Sequence, residues 1–313
     1  MTKKLISIVS PTYNEEENID ELHTRLCLVS ETLKYKYDFE FIIIDNCSQD
    51  KTVEKLRKIC NDDKRFKVIL NVRNFGHIRS PYHGLLQSTG EATIYLASDL
   101  QDPPELIPEF ISAWEKGYKL VFATKPTSEG NQYISKLRSY YYKVLDKFSD
   151  VSIVKDATGF GLYDRKVIDI IVKINDPYPF FRGLVAELGY PIKTIEFNQP
   201  KRLRGISKNN FYTLYDIAWL GFVGHSKVPI RMSAFAGFFI GSLSICAAVV
   251  FTITKLVFWK YIPIGIAPIM IGMFFLFGLQ FFFIGILGEY VGSILTYLQN
   301  RPVVIEKERI NFD

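Results

Sequence analysis

The sequence predicts an α/β fold with a mainly parallel sheet, followed by helices that lie against a membrane and cross it. Three observations lead to this prediction. Short apolar runs alternate with helical patterns over the first 205 residues. Two long stretches near the C-terminus contain no Asp, Glu, Lys, Arg or His. Charged residues are 23% and hydrophobic residues 48% of the 313 residues, which argues against a disordered chain and against a wholly membranous one.

Short apolar runs rich in Ile, Val, Leu and Phe are predicted to be buried strands. They are Leu5–Ser10, Phe39–Asp45, Phe66–Asn71, Ala92–Ser98 and Tyr118–Thr124, with helices predicted near 15–34, 51–62, 80–89 and 104–116. Pro81 and Pro104 fall in first-turn positions, where the missing N–H has no cost. Strands that alternate with helices imply right-handed crossovers and a Rossmann-like domain, predicted over residues 1–205.

Two uncharged stretches near the C-terminus are long enough to cross a membrane. They run from Met232 to Thr254 and from Tyr261 to Gly288, and each exceeds the roughly 20 apolar residues that a span needs. We predict a two-helix anchor over residues 232–292, which returns a tail over 293–313 to the side of the N-terminal domain. A buried helical hairpin in a soluble protein is the alternative.

The stretch between domain and anchor, residues 206–231, carries apolar residues at helical spacing. An amphipathic helix in the membrane interface and a helix packed on the soluble core would both give this pattern. At the N-terminus the apolar run is too short for a secretory signal. We therefore expect a multi-pass protein of the cell membrane, with the N-terminal domain and both termini in the cytoplasm.

The charge distribution argues against nucleic acid and in favour of a membrane surface. The formal net charge is only +5, and no basic stripe is interleaved with aromatic residues. Basic residues cluster just ahead of the first span, at Lys201, Arg202, Arg204, Lys208, Lys227 and Arg231. Anionic headgroups or a lipid phosphate would attract this cluster, and ordinary positive-inside charge also explains it. The four cysteines form no CxxC pair, which is typical of a reduced cytosolic domain.

Polar clusters follow three of the predicted strands, at Ser10–Glu17, Ile44–Asp50 and Ala97–Glu105. Ligands of parallel sheets bind at the carboxyl ends of the strands, so we expect the clusters to meet in one crevice. A carboxylate there can accept a base or ribose hydroxyl, and oxygen ligands can hold a divalent cation against a diphosphate. Asp50 and Asp102 have a simpler interpretation as caps of the helices that follow them.

Seven motifs spread over nearly the whole chain carry a resemblance to a known family. They are SPTYNEEENI at 10–19, DNCSQD at 45–50, NFGH at 74–77, SDLQDPPE at 98–105, RLRGISK at 202–208, GEYVG at 288–292 and RPVVI at 301–305. The sequence resembles the inverting, nucleotide-sugar-dependent glycosyltransferases of the dolichyl-phosphate mannose synthase type. Within that type it is most similar to the bactoprenol (undecaprenyl-phosphate) glucosyltransferases.

The resemblance implies a nucleotide-sugar site in the Rossmann-like domain. Residues implied for the nucleotide sugar are Pro11, Tyr13, Asn14, Glu15, Asp45 and Asp99. Asp99 and Gln101 would hold Mg²⁺ or Mn²⁺ against the donor diphosphate, and with Asp156 they are the catalytic candidates. The resemblance also implies UDP-glucose as donor and undecaprenyl phosphate as acceptor. It implies a homo-oligomer as the assembly, and specifically a tetramer.

Two departures from the family pattern concern the metal site and its neighbourhood. Many relatives carry Asp-x-Asp where this chain has Ala97-Ser98-Asp99, so only the second aspartate is present. Asp99, Gln101 and the substrate's own phosphates can still fill an octahedral shell. Many relatives carry an acid at the position of Gly159, whereas in this chain Asp156 is the nearby acid.

The expected reaction needs no strong general base. A phosphate monoester has a second pKa of about 6, so it is largely a dianion at neutral pH and can attack the anomeric carbon itself. A single displacement then inverts the anomer. The enzyme must hold two polyanions together, and we nominate for this Arg138, Arg202, Arg204 and Lys208. Arg138 also suits a solvated helix face.

Alternative functions can be weighed by the sequence features that each would require. Mannose, galactose and aminoarabinose donors are alternatives within the same reaction class. A processive polysaccharide synthase would have more spans and a Gln-x-x-Arg-Trp motif, which the sequence lacks. A membrane scaffold without catalysis is suggested by Ala97, and the presence of Asp99, Gln101 and the RLRGISK stretch argues against it.

Overall fold

One mixed β-sheet organises the part of the chain that the structure describes. The computed structural model describes residues 3–124, 157–177, 181–198, 228–258, 265–299 and 301–312. Its strands are β1 (Lys4–Thr12), β2 (Tyr37–Asp45), β3 (Phe66–Asn71), β4 (Ala92–Tyr95), β5 (Leu120–Thr124), β6 (Ala157–Asp164), β7 (Ile192–Glu196) and β8 (Glu306–Ile310). Its helices are α1 (Ile19–Leu33), α2 (Thr52–Asp62), α3 (Gly76–Leu86), α4 (Ile107–Glu115), α5 (Arg165–Ile174), α6 (Phe181–Glu187), α7 (Val228–Val257) and α8 (Ile266–Leu298), with a 3-10 helix at Pro104–Leu106.

The strand order is β7-β5-β6-β4-β1-β2-β3-β8. The four neighbours β4, β1, β2 and β3 run parallel to one another, as the alternating pattern predicted. β6 and β8 run antiparallel to their partners. β1 and β2 end side by side, with Thr12 paired to Asp45. The carboxyl ends of the parallel strands therefore lie along one edge of the sheet, which we call the crevice edge.

Helices cover both faces of the sheet, which explains why the central strands are apolar without interruption. α1, α2 and α4 pack on one face, over side chains that include Phe41 and Ile43. α3, α5 and α6 pack on the other face, where Ile42 and Ile44 lie. Each of these four side chains is at most 1% exposed. A strand buried on both faces cannot alternate apolar and polar residues, and the run Phe41–Ile44 is the result.

Helix α3 begins earlier than the predicted start near residue 80. Gly76 has a φ of +85°, and its N–H donates a hydrogen bond of 2.7 Å to the side-chain oxygen of Asn74, which turns the chain into the helix. Pro81 consequently lies inside the helix and not in its first turn, where it removes one backbone hydrogen bond. Pro104 is the first residue of its 3-10 helix, as predicted.

The C-terminal segment, predicted as a separate tail, contributes the last strand of the sheet. β8 pairs antiparallel with β3, and the Val72 N–H donates to the Ile305 carbonyl at 3.1 Å just before the pairing begins. Apolar side chains of the segment pack against the core on both faces of the sheet: Ile310 on the α1 face, Val303 and Phe312 on the other. The segment is thus an integral part of the N-terminal domain.

Two long helices, α7 and α8, stand between β7 and β8 in the chain and contact each other. Among the described residues, one helical stretch, Phe275–Leu298, is long and apolar enough to cross a membrane, with a mean hydropathy of 1.6. The apolar stretch found in α7 is shorter, Ile230–Ser244. The described residues therefore support the second of the two predicted spans and leave the first unconfirmed. Of the predicted juxtamembrane region 206–231, residues 206–227 lie outside the described residues.

The packing of the C-terminal segment can be tested with Phe312, which packs against the buried cluster that contains Ile42, Ile44 and Ile69. Phe312→Ala should lower the free energy of unfolding by about 1–3 kcal/mol, because a partly buried ring is lost from the core. Lys307→Ala, on the same strand but exposed, should change it by less than about 0.5 kcal/mol. Chemical denaturation of the full chain in detergent measures both, and equal effects would contradict the docked position of the segment.

Candidate functional site

The loops after β1 and β2 are bound to each other through Ser48. Asp45, the last residue of β2, is 1% exposed, and its carboxylate accepts hydrogen bonds from the Ser48 hydroxyl and, at 2.9 Å, from the Ser48 N–H. The Ser48 hydroxyl also accepts from the Asn14 N–H at 2.8 Å. Burial is the largest influence on Asp45 and raises the pKa of its carboxyl, which the hydrogen bonds from Ser48 partly offset.

The predicted acids of the first two loops have different roles in the structure. The Glu15 N–H donates to the Thr52 hydroxyl at 2.9 Å, and the Glu15 carboxylate accepts from the Asn18 amide at 2.6 Å. Asp50 accepts from the Thr52 N–H, at the start of α2, and from the Glu16 N–H at 3.2 Å. The N-cap position of α2 is Lys51, so the interpretation of Asp50 as the cap was wrong. Asp50 instead accepts from the first helical N–H and joins the two loops.

The loop after β4 brings Asp99 to the same edge of the sheet. The Ser98 hydroxyl donates to the Pro11 carbonyl at 2.8 Å, which attaches this loop to the end of β1. The partly exposed Asp99 accepts from the Gln101 N–H at 3.2 Å. Asp102 is 5% exposed and accepts from the Ala97 N–H at 3.0 Å. Asp102 was predicted as a cap, but the 3-10 helix has no side-chain cap, and Asp102 instead closes the loop around Asp99.

Each of the three loops contains one non-glycine residue in the left-handed region. The φ values are +54° at Asn14, +66° at Cys47 and +60° at Leu100. Such backbone geometry costs about 1–3 kcal/mol per residue and persists only where the surroundings impose it. Here the surroundings are the hydrogen bonds just described and, for Leu100, burial to 5% exposure. The loops are therefore held in place before any ligand binds.

A buried amide network at the crevice edge was missed in the sequence. Asn46 donates through its side chain to Asn74 at 2.9 Å and to the Gly76 carbonyl at 3.1 Å, and it accepts from the Phe75 N–H at 2.8 Å. Asn71, the last residue of β3, donates to Asn46 at 3.2 Å. The network fixes the loop between β3 and α3 beside Asp45. The sequence did contain a signal for this network, because Asn46 directly follows β2 and Asn71 is the last residue of the neighbouring β3.

Several predicted site residues lie outside the described residues: Asp156, Arg138, Arg202, Arg204 and Lys208. The structure does explain the missing acid at position 159. Gly159 has a φ of +95°, which disfavours any residue with a side chain. At Gly161 an added Cβ would lie 2.3 Å from the Val121 carbonyl oxygen, so this glycine is required by the close approach of β5.

The oxygen donors at the crevice edge suit a hard divalent cation. Asp99 offers a carboxylate and Gln101 an amide oxygen, and Mg²⁺ is commonly bound by one or two carboxylates together with substrate phosphates. A second group, His23, Cys27 and Asp63, has potential ligand atoms within 4.8 Å of one another. It does not suit a cation, because the Arg65 guanidinium binds Asp63 at 2.7 Å. Burial also raises the pKa of the Cys27 thiol, which opposes the thiolate form.

The described residues form an α/β domain with carboxylates and strained loops at the ends of its parallel strands, and the family model that matches it identifies a glycosyltransferase with a GT-A-like fold. The chain belongs to glycosyl transferase family 2, whose model matches residues 7–171. It is 32% identical over 301 residues to the uncharacterized glycosyltransferase sll0501 of Synechocystis sp., covering 96% of this chain and 94% of the relative.

A second relative and a solved structure have more specific descriptions. The chain is 31% identical over 305 residues to the SfII prophage-derived bactoprenol glucosyl transferase of Shigella flexneri, covering 97% of each. A solved mannosyltransferase from Pyrobaculum calidifontis, in complex with GDP-Man and Mn²⁺, matches with 14% identity and a TM-score of 0.46. That match covers 96% of this chain and 88% of the solved chain. The family model and the similarity to the bactoprenol glucosyl transferase confirm the resemblance drawn from the motifs.

Asp45→Asn is expected to make the fold less sensitive to pH between acidic and neutral conditions and to weaken donor binding. Because the pKa of Asp45 is raised in the folded state, its contribution to stability is present at acidic pH and is lost as the pH rises through that raised pKa. Asparagine does not ionise, so the unfolding free energy of the variant relative to that of the wild type should rise from acidic to neutral pH. Urea denaturation at both conditions measures it.

The same variant tests the role of Asp45 in the site. A carboxylate that accepts a nucleoside hydroxyl or base N–H is worth about 1.5–3 kcal/mol, so the affinity for the nucleotide-sugar donor should fall about tenfold or more. Calorimetric titration of the donor gives this value. Unchanged affinity would remove Asp45 from the nucleotide site.

Proposed function

We propose that this glycosyltransferase transfers glucose from UDP-glucose to undecaprenyl phosphate, with inversion at the anomeric carbon. The observation that carries the proposal is the near end-to-end similarity to bactoprenol glucosyl transferases, at 31% identity over 97% of this chain. The product would be a polyprenyl-phosphate β-glucose that supplies glucose for the modification of cell-surface glycans. A homo-oligomer is proposed as the assembly.

The crevice supports a nucleotide-sugar donor. In the proposed complex the nucleoside lies between the loops after β1 and β2, against Pro11, Tyr13, Asn14 and Glu15 and the buried carboxylate of Asp45. The donor diphosphate then lies towards the loop after β4. The hydrogen bonds from Asn14 to Ser48 and from Ser98 to Pro11 hold these loops in one arrangement. A preorganised site loses little conformational entropy on binding, which favours affinity.

Asp99 and Gln101 would hold the cation, Mg²⁺ or Mn²⁺. When bound, it would neutralise charge on the departing nucleoside diphosphate. The contribution of the chain is to present the Asp99 carboxylate, which the Gln101 N–H orients at 3.2 Å. The buried Asp102 carboxylate accepts from the Ala97 N–H and so fixes the backbone that carries Asp99. In the absence of the first motif aspartate, substrate phosphates would complete the coordination shell.

The acceptor phosphate would be bound by basic side chains beyond the described residues. We propose Arg138, Arg202, Arg204 and Lys208 for this role, and Asp156 as an acid near the reacting atoms. An arginine can bind a phosphate through two parallel N–H···O bonds, which positions it as well as attracting it. Since the phosphate is already a dianion at neutral pH, position and charge suffice for attack.

The path of the chain supports a multi-pass membrane protein with β3 and β8 on one side of the membrane, which we propose to be the cytoplasmic side. β8 pairs with β3 in the same sheet as the N-terminal strands, so the chain between them crosses a membrane an even number of times. If α8, which contains the candidate span, crosses the membrane, a second crossing has to lie elsewhere between β3 and β8, and we propose α7 for it. β8 begins at the crevice edge, where Glu306 faces Asn71. In the proposed arrangement the crevice would open near the point where α8 leaves the membrane, within reach of a lipid phosphate.

The proposal is tested by incubating the purified protein with labelled UDP-glucose and undecaprenyl phosphate in lipid vesicles. Label should pass into an organic-extractable lipid. Parallel reactions with UDP-galactose and GDP-mannose identify the sugar. Transfer of mannose or galactose in place of glucose would correct the donor, and label left wholly in the aqueous phase with every donor would refute the reaction class.

Asp99→Asn should reduce turnover by about a hundredfold or more, because a metal that stabilises the leaving group contributes several kcal/mol. EDTA should do the same to the wild type, and excess Mg²⁺ or Mn²⁺ should restore activity. Circular dichroism checks that the variant is folded. Full activity of the wild type in EDTA would overturn the metal assignment.

Arg202→Ala should reduce transfer to undecaprenyl phosphate by about tenfold to a hundredfold, the equivalent of a lost charge-assisted hydrogen bond of about 1.5–3 kcal/mol. Affinity for UDP-glucose should stay unchanged. Lys201→Ala is the matched control, since it removes a neighbouring charge outside the RLRGISK stretch. Equal small losses in both variants would mean that the basic cluster is positive-inside charge alone.

A further inference from the structure

Helix α8 is longer than a membrane crossing requires. Its 33 residues span about 50 Å at 1.5 Å per residue, whereas the hydrocarbon core of a bilayer is about 30 Å thick. The apolar run within it ends at Gly288 and is followed by Glu289. Tyr290 hydrogen-bonds to the backbone of Ile230, in the first turn of α7, so these residues lie at one depth. The last two turns of α8 therefore extend beyond the start of α7, towards the catalytic domain.

The extended end of α8 is attached to the catalytic domain by specific hydrogen bonds. The Tyr297 hydroxyl, in the last turn, donates to the carboxylate of Asp176 at 3.2 Å, and Asp176 is 8% exposed. Just after the helix, the Arg79 guanidinium donates to the Pro302 carbonyl at 2.7 Å. A buried carboxylate and a backbone carbonyl are both fixed partners, so the helix end is held in one orientation.

These attachment points belong to the crevice edge. Arg79 lies on α3, whose preceding loop is held by Asn46 beside Asp45. Asp176 lies just after the end of α5. That helix begins at Arg165 on the opposite edge of the sheet, because the preceding residue, Asp164, pairs with Ala92 at the start of β4. The chain has thus returned along α5 towards the crevice. The end of α8 is therefore attached to elements that border the crevice.

We propose that the last two turns of α8 form a rigid stalk, and that Tyr297 and Arg79 are positioning residues that hold the crevice at a fixed height and angle over the membrane. The inference rests on the proposed function, since its purpose is to align the donor with a phosphate at headgroup depth. A misalignment of about 1 Å can cost a hundredfold in rate. The stalk matters only for an acceptor whose own position is fixed by the bilayer.

The test compares two acceptors with the full chain in lipid nanodiscs. One acceptor is undecaprenyl phosphate in the bilayer, and the other is a two-isoprene phosphate that is soluble in water. Tyr297→Phe, which removes one hydroxyl, and Arg79→Gln should each lower kcat with the bilayer acceptor about tenfold. The kcat with the soluble acceptor and the KM for UDP-glucose should stay unchanged. Thr296→Ala is the control, because that hydroxyl donates to Gly292 within the helix.

Each outcome either supports the stalk or overturns it. Equal losses with both acceptors, or a raised KM for UDP-glucose, would overturn the proposal and assign these residues to the active site or to the fold. Full activity of both variants would also overturn it. If the wild type used neither acceptor, the proposed function would fail, and hydrogen exchange at Val72 would test the stalk by itself. Faster exchange in Arg79→Gln would support the attachment, and unchanged exchange would refute it.

Discussion

The pairing of β8 with β3 is the constraint on which the rest of the structure depends. It joins the two ends of the chain in one sheet, although 234 positions separate the end of β3 at Asn71 from the residue preceding β8 at Ile305. Helices α7 and α8 are inserted between them, so they have to leave the domain and return to it. Because β8 starts at the crevice edge, the end of α8 and the loops of the crevice edge share one side of the molecule.

The crevice combines features that each cost stability. Asp45 is buried as a carboxylate, and Asn14, Cys47 and Leu100 have left-handed backbone geometry. Their surroundings offset this cost through hydrogen bonds that run between loops rather than within them, as from Asn14 to Ser48. Strain of this kind is characteristic of binding sites, where the loop geometry must exist before the ligand arrives. Preformed loops favour the binding of a polyanionic donor most, because each of its charges needs a hydrogen-bond donor or cation at the right position.

A single remaining motif aspartate is compatible with the proposed chemistry. Both substrates carry phosphates, so much of the oxygen that a cation requires comes with the donor. The chain supplies one carboxylate, Asp99, and fixes the loop that carries it through the buried Asp102. Sugar transfer to a phosphate dianion needs no strong base, so the main requirements are position and charge. These requirements explain why so much of the crevice consists of hydrogen bonds that hold backbone in place.

The sequence by itself determined the local elements and the place of the site. Apolar runs of strand length marked β1 to β5, and the polar clusters after them marked the crevice, because burial and turn chemistry act over a few residues. The motifs also identified the family. Only the tertiary structure decided the strand β8, the inward-facing Asp102, the Asn46 network and the attachment of Tyr297 to Asp176. Each of these joins groups according to the position of distant chain segments, and a short, partly polar strand such as Glu306–Ile310 has no pattern of its own until β3 offers it an edge.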